Sequence, residues 1–221
     1  MPCSMVGPSS LFQRWNLQVR SLYQLVARSD NKVISKNSPP IGRDTAESVI
    51  TIRVLLIVRR ADASRGDKYV SRVFKNEDEM IQSISKHTYS FVGSARLELI
   101  SQDLSALSFE DQIRLISSVH IVVGMHGAGI ASTMHMAIGT PNCCGVVEIF
   151  PQGEFMPIRG YGNMARRMGH HYQRIDLPNG NGGASLVPVQ FVIDALEDVY
   201  KKIRSQPSCV LPSVIDDPYF L

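Results

Sequence analysis

The stretch GMHGAG (residues 124–129) has three glycines in six positions, with His126 among them. Backbone N–H groups at a glycine turn between a strand and a helix can approach an anion closely, and the helix dipole favours negative charge there. The spacing matches neither G-x-G-x-x-G nor the Walker pattern, so it predicts neither a dinucleotide fingerprint nor a P-loop. Two interpretations stay open: Gly127, Ala128 and Gly129 bind a phosphate, or the turn is structural and His126 caps it.

Four arginines lie in the single connection that follows the first predicted strand, ahead of Asn76. They are Arg59, Arg60, Arg65 and Arg72. Guanidinium groups bind phosphate oxygens in a bidentate manner. In a parallel sheet this connection emerges at the same edge as the glycine turn, which favours a phosphate clamp over the alternative of a solvated basic loop.

Glu148 is an acid inside an otherwise apolar strand pattern, GVVEIF. A carboxylate near a strand end can accept hydrogen bonds from two ribose hydroxyls, as acids do in nucleotide sites. The alternative is a glutamate at the exposed end of the strand, paired with an arginine.

HGAG also resembles the oxyanion loop of esterases, but the sequence lacks the G-x-S-x-G nucleophile elbow, which disfavours a hydrolase. Neither a D-x-D triplet nor a CxxC pair is present, so no metal or other cofactor is expected.

The surrounding pattern predicts the elements that position these residues. Strand patterns, each followed by a helical pattern, cover residues 50–58, 95–101, 120–124, 145–150 and 171–175. The helix that follows Asn76 has Glu79 three residues on, which is a capping-box pattern. This alternation predicts an α/β fold with a doubly wound, Rossmann-like parallel sheet, which binds ligands beyond the carboxyl ends of its strands.

Composition divides the chain into three segments. Residues 1–48 are expected to be an arm or the remnant of a preceding domain, with a helix over residues 11–27. Residues 49–205 form the predicted binding domain, and residues 206–221 a C-terminal tail. A hydrophobic fraction of 44% suffices for one core, and a net charge of +3 gives no argument for nucleic acid. The sequence shows neither a signal peptide nor an apolar run long enough to cross a bilayer.

Four motifs, taken in order, resemble a known family. They are VLLIVRR with the arginines and NEDEM that follow it, then VVGMHGAGI, GVVEIFP and YGNMARRMGHHY. Together they cover roughly residues 50–176. They are similar to the C-terminal half of the glycosyltransferase family that includes the EGF-domain-specific O-linked N-acetylglucosamine transferase, the dystroglycan O-mannose N-acetylglucosaminyltransferase and plant xylan xylosyl- and arabinosyltransferases.

The resemblance implies one half of a GT-B fold and an inverting hexosyl- or pentosyltransferase. It implies a nucleotide-sugar donor, commonly a UDP-sugar, an acceptor hydroxyl on a protein or polysaccharide, and the lumen of the endoplasmic reticulum or Golgi. His126 is the candidate catalytic residue, either as the general base or, as its place among phosphate-binding residues favours, at the leaving group. The expected donor contacts are Arg59, Arg65, Arg72, Asn76, Gly127, Ala128, Gly129 and Glu148. The alternative is a non-catalytic nucleotide- or phosphate-binding module, or a degenerate or truncated glycosyltransferase.

Overall fold

The computed structural model describes residues 14–16, 18–19, 50–60, 71–87, 95–136, 144–151, 160–178 and 183–205. A parallel sheet of five strands occupies its centre. The strands are β1 (Ile50–Ile57), β3 (Ala95–Gln102), β4 (Ile121–Met125), β5 (Gly145–Phe150) and β6 (His171–Asp176), in the spatial order β3-β1-β4-β5-β6. Every pairing between neighbours is parallel. The predicted doubly wound α/β fold is therefore confirmed, with strand bounds that differ by at most one residue at either end.

Helices cover both faces of this sheet because its central strands are apolar on both sides. The helices are α1 (Glu77–Lys86), α2 (Phe109–Ser117), α3 (Ala128–Ala131), α4 (Gly160–Met168) and α5 (Val189–Arg204), and α3 continues as a 3₁₀ turn (Ser132–His135). One core lies between the sheet and the pair α1 and α5. The other lies between the sheet and the helices α2, α3 and α4.

A strip of two short parallel strands, β2 (Val73–Phe74) and β7 (Ala184–Ser185), joins the connection after β1 to the segment after β6. The N–H groups of Arg72 and Val73 donate to the carbonyl of Gly183, at 2.6 and 3.1 Å. Arg72 has φ +64°, the left-handed conformation that non-glycine residues rarely adopt. The strip therefore holds Arg72 in a fixed and strained geometry.

Asn76 anchors the same strip to the segment that leads into α5. Its amide accepts from the N–H of Val187 at 3.0 Å and donates to the carbonyl of Val187 at 2.8 Å. Its side chain makes no capping bond to the backbone of α1 and instead donates to the carboxylate of Glu79. The predicted capping box is thus wrong in its bonds, although the helix does begin after Asn76. With its amide bonded to Val187, Asn76 acts here as a structural anchor, and its contact with the donor stays a prediction.

Part of the predicted N-terminal helix lies against the body of the domain. Arg14, Trp15, Asn16, Gln18 and Val19 are helical, and the rest of that prediction falls outside the described residues. The Asn16 amide donates to the carbonyls of the 3₁₀ turn and its end, at Met134 and Met136, and the Trp15 ring lies 5.4 Å from the ring of His135. The boundaries at residues 48 and 205 stay predictions. Within the described part of the chain, no helix combines the length and the apolar character that crossing a membrane needs.

Candidate functional site

The strand order places a topological switch point between β1 and β4. From β1 the chain passes to β3 on one side of it, and then crosses to β4 on the other side. In open α/β sheets of this order, ligands bind in the crevice where the strand order reverses. Arg59 leaves β1 at this crevice, and His126 and Gly127 leave β4 there. The two segments that sequence reasoning expected at one edge therefore meet.

Two arginines converge on the glycine turn. A Cβ atom added to Gly127 would lie 2.7 Å from Nη2 of Arg59 and 2.9 Å from Nη1 of Arg72. Gly127 has φ +154°, in a backbone region that glycine tolerates and other residues avoid. Within the described part of the chain, Arg59 makes no ion pair. Nitrogen atoms of both guanidinium groups thus lie within 3 Å of one point at the turn, an arrangement in which one anion can contact both groups.

The other two arginines of the connection do not join them. The backbone N–H of Arg60 donates to the carboxylate of Asp103 at 3.0 Å, and its guanidinium pairs with Glu77 at 2.7 Å. That ion pair raises the pKa of Arg60. Arg65 lies outside the described residues. The predicted clamp is thus brought together for Arg59 and Arg72, whereas Arg60 is committed elsewhere.

Gly129 faces the core rather than the arginines. A Cβ added there would lie 3.1 Å from Cγ2 of Ile57, so this glycine makes room for a buried side chain of β1. The clearance for a close anion approach belongs to Gly127 instead. Ala128 and Gly129 form the first turn of α3, whose N–H groups have no acceptor inside the helix. Their contact with a phosphate stays a prediction.

Glu148 is buried, with 1% of its surface exposed. One carboxylate oxygen lies 2.6 Å from Nδ1 of His126, and the other accepts a hydrogen bond from the Tyr172 hydroxyl at 2.7 Å. Burial, together with this bond and the nearby charge, raises the pKa of Tyr172 well above its usual range, so its hydroxyl stays a donor. The structure thus corrects the alternative of an exposed strand end, because Glu148 is buried. Its contact with ribose hydroxyls stays a prediction.

The ring of His126 is held on its faces as well as at its edge. It stacks on Phe150 with the ring centroids 4.5 Å apart and the planes 21° from parallel, and Tyr161 lies 5.4 Å away. The guanidinium of Arg174 lies 3.6 Å from the centre of the Phe150 ring. His126 itself is buried, with 7% of its surface exposed. Its position is therefore fixed by packing before any ligand binds.

Sequence reasoning missed four of these contacts: Phe150, Tyr161, Tyr172 and Arg174. For Phe150, Tyr172 and Arg174 the missing signal was the alternation along β5 and β6, whereas Tyr161 lies on α4. Residues two apart on a strand share a face, and the register pairs Glu148 with Arg174 on neighbouring strands. Combining that parity with the acid at Glu148 would have placed the side chains of both strands on one face.

Comparison with known proteins identifies the family. The model of the family described as Glycosyltransferase 61 matches residues 6–143. A beta-1,2-xylosyltransferase of Arabidopsis thaliana is 32% identical over 121 residues, which cover 51% of this chain and 21% of the relative. The EGF domain-specific O-linked N-acetylglucosamine transferase of Bos taurus is 26% identical over 115 residues, covering 52% of this chain and 19% of the relative.

A third relative is the protein O-linked-mannose beta-1,4-N-acetylglucosaminyltransferase 2 of Bos taurus, which is 24% identical over 96 residues. That alignment covers 43% of this chain and 16% of the relative. The chain thus matches about a fifth of the length of these curated relatives. The family match extends over well more than half of the chain and includes β1, β4 and the glycine turn. The chain belongs to glycosyltransferase family 61.

Proposed function

We propose that this chain carries the donor-binding part of an inverting glycosyltransferase that uses a nucleotide-sugar, specifically a UDP-sugar. The observation that supports it most strongly is the convergence of Arg59 and Arg72 on Gly127 at the switch point of the sheet. A nucleoside diphosphate carries its charge on a compact group, which two guanidinium groups can bind together. The relatives are named as xylosyl- and N-acetylglucosaminyltransferases, which supports a pentose or a hexosamine as the transferred sugar.

Each part of the site has a role in the proposed transfer of the sugar. An acceptor hydroxyl on a protein or polysaccharide attacks the anomeric carbon while the bond from that carbon to the diphosphate breaks. The bonding electrons leave with the diphosphate, and the fixed cations of Arg59 and Arg72 stabilise the developing charge. A general base takes the hydroxyl proton. His126 is the catalytic candidate, and its position beside Gly127 supports a role at the leaving group.

These cations supply the positive charge that a leaving diphosphate needs, so we propose that the reaction requires no metal ion. One relative is named for an EGF domain and another for a mannose linked to protein. These names support an acceptor hydroxyl on a protein or on a sugar attached to it, and a protein that works in the lumen of the endoplasmic reticulum or Golgi. The same site also suits a module that binds a nucleotide-sugar without transferring it.

The test is calorimetric titration with UDP, a UDP-sugar and uridine. Arg59→Ala and Arg72→Ala should each weaken UDP binding about ten- to hundredfold, the loss typical of a hydrogen bond to a charged group. Uridine binding should change much less. Arg60→Ala is the matched control. It removes the same charge at the residue next to Arg59, but the Arg60 side chain pairs with Glu77 and lies outside the proposed site.

The proposal would be contradicted if no nucleoside diphosphate bound the folded protein. Equal losses in Arg59→Ala and Arg60→Ala would contradict it as well, since they would indicate a general effect of charge. Transfer of a labelled sugar from a UDP-sugar to an acceptor distinguishes an enzyme from a module that only binds the donor.

A further inference from the structure

Glu148 is a buried acid in a strand whose neighbouring residues are apolar, so packing of the core does not explain it. Its neighbours on β5, Val147 and Ile149, are fully buried in the core on the opposite face, and Glu148 is buried on its own face. A carboxylate removed from water is costly unless hydrogen bonds and charge compensate it. Here His126 and Tyr172 provide one contact to each oxygen. The acid is therefore built into a network that centres on the histidine.

The contact with Glu148 points to one tautomer of the His126 ring. An ionised carboxylate can only accept hydrogen bonds, so the nitrogen that faces it, Nδ1, must be the donor. The Tyr172 hydroxyl donates to the second oxygen and keeps the carboxylate from rotating. Gly162 on α4 leaves room for the ring of Tyr172, since a Cβ there would lie 2.9 Å from that ring. Phe150 fixes the plane of the imidazole.

We propose that Glu148, held by Tyr172, is a positioning residue that fixes His126 with a proton on Nδ1, so that Nε2 is the ring nitrogen that meets the diphosphate. Nε2 donates to a diphosphate oxygen once it takes up a second proton from solvent, and the Glu148 carboxylate compensates the charge of the resulting imidazolium. The role of Nε2 rests on the proposed function, whereas the tautomer does not. A carboxylate that orients a histidine in this way acts only through the ring, so neither Glu148 nor Tyr172 needs to touch the substrate.

The tautomer can be read without any nucleotide. Two-bond proton–nitrogen correlation spectra of the ¹⁵N-labelled chain distinguish Nδ1–H from Nε2–H rings, and His126→Gln assigns one of the six histidines. His126 should show the proton on Nδ1. Glu148→Gln should remove this preference, because an amide can donate as well as accept. Tyr172→Phe should shift the same signals less, and Tyr200→Phe, a buried tyrosine of the opposite core, should leave them unchanged.

A second measurement reads the consequence for binding. Glu148→Gln and Tyr172→Phe should lower UDP affinity about tenfold or more and leave uridine affinity nearly unchanged. An Nε2–H tautomer in the wild-type chain, or His126 signals that ignore both substitutions, would overturn the inference. So would a Glu148→Gln variant with altered His126 signals and unaltered UDP affinity. If Glu148→Gln does not fold, Tyr172→Phe decides. If the wild-type chain binds no UDP, the proposed function fails while the spectra still decide the tautomer.

Discussion

Replacing Gly127 with alanine tests the arginine site most directly. The new Cβ would meet Nη2 of Arg59 at 2.7 Å and Nη1 of Arg72 at 2.9 Å, closer than side chains normally approach. Both guanidinium groups must therefore move. The backbone at φ +154° adds strain of about 1–3 kcal/mol for a residue with a Cβ. For a chain of this size that cost corresponds to a fall of roughly 2–10 °C in the melting temperature. Loss of even one charged contact should weaken UDP binding about tenfold or more.

Gly129→Ala is the matched control for this prediction. It adds the same methyl group two residues away, against Cγ2 of Ile57 rather than against the arginines. The crowding of Ile57 at 3.1 Å is opposed by the helix propensity of alanine, which is about 1 kcal/mol better than that of glycine, so the net change in the free energy of unfolding should be small. UDP affinity should stay close to that of the wild type. Thermal unfolding and calorimetric titration with UDP and uridine measure both quantities on each variant. A folded Gly127→Ala protein that binds UDP like the wild type would refute the assignment of Arg59 and Arg72 to the anion site.

Two further predictions concern the packing behind the site. Gly162→Ala should push the ring of Tyr172, cost about 1–3 kcal/mol in denaturant unfolding and shift the His126 signals, while Gly160→Ala, with open space around it, should do neither. Burial lowers the pKa of His170 to about 4, below the value of about 6.5 in the unfolded chain. Between these two pH values the unfolded state binds a proton that the native state excludes, so acid lowers the free energy of unfolding. The contribution of neutral His170 to that free energy is complete above about pH 6.5 and is lost as pH falls toward 4. Denaturant unfolding of His170→Gln should give a flatter stability curve across that window, and an unchanged slope would contradict the reasoning.

The strands of the sheet were predictable because each carries a physical signal of its own. Continuous β-branched runs need burial on both faces, and a parallel sheet with helices on both sides provides it. The capping at Asn76 was not predictable in the same way. Asn and Glu three residues apart fit a capping box, but the backbone of Val187, more than a hundred residues along the chain, provides a competing partner for the amide. Local patterns identify where a helix begins better than they identify which bonds are made there.

The site was predictable to the extent that it depends on topology. Arg59 and Gly127 meet because both follow the carboxyl ends of neighbouring parallel strands, and the strand pattern already implied that edge. The directions of individual side chains were not accessible. Whether Gly127 or Gly129 faces the arginines depends on the turn of the backbone at φ +154°. Whether Glu148 meets a ribose or His126 depends on the register of β5 beside β4, which a strand pattern alone does not fix.

The backbone itself gives a reason to regard this place as a ligand site. Arg72 has a positive φ, and Gly127 adopts a conformation that other residues avoid, and these two segments contact each other. Such conformations cost free energy and persist only where surrounding structure enforces them. Here the enforcing contacts are the bonds of the β2–β7 strip to Gly183 and the bond from the His126 N–H to the carbonyl of Ile149. The backbone strain at Arg72 contributes nothing to the stability of the core. The same bonds do fix the backbone of Arg72 and of the glycine turn before an anion arrives, and such preorganisation is what the proposed stabilisation of a leaving diphosphate requires.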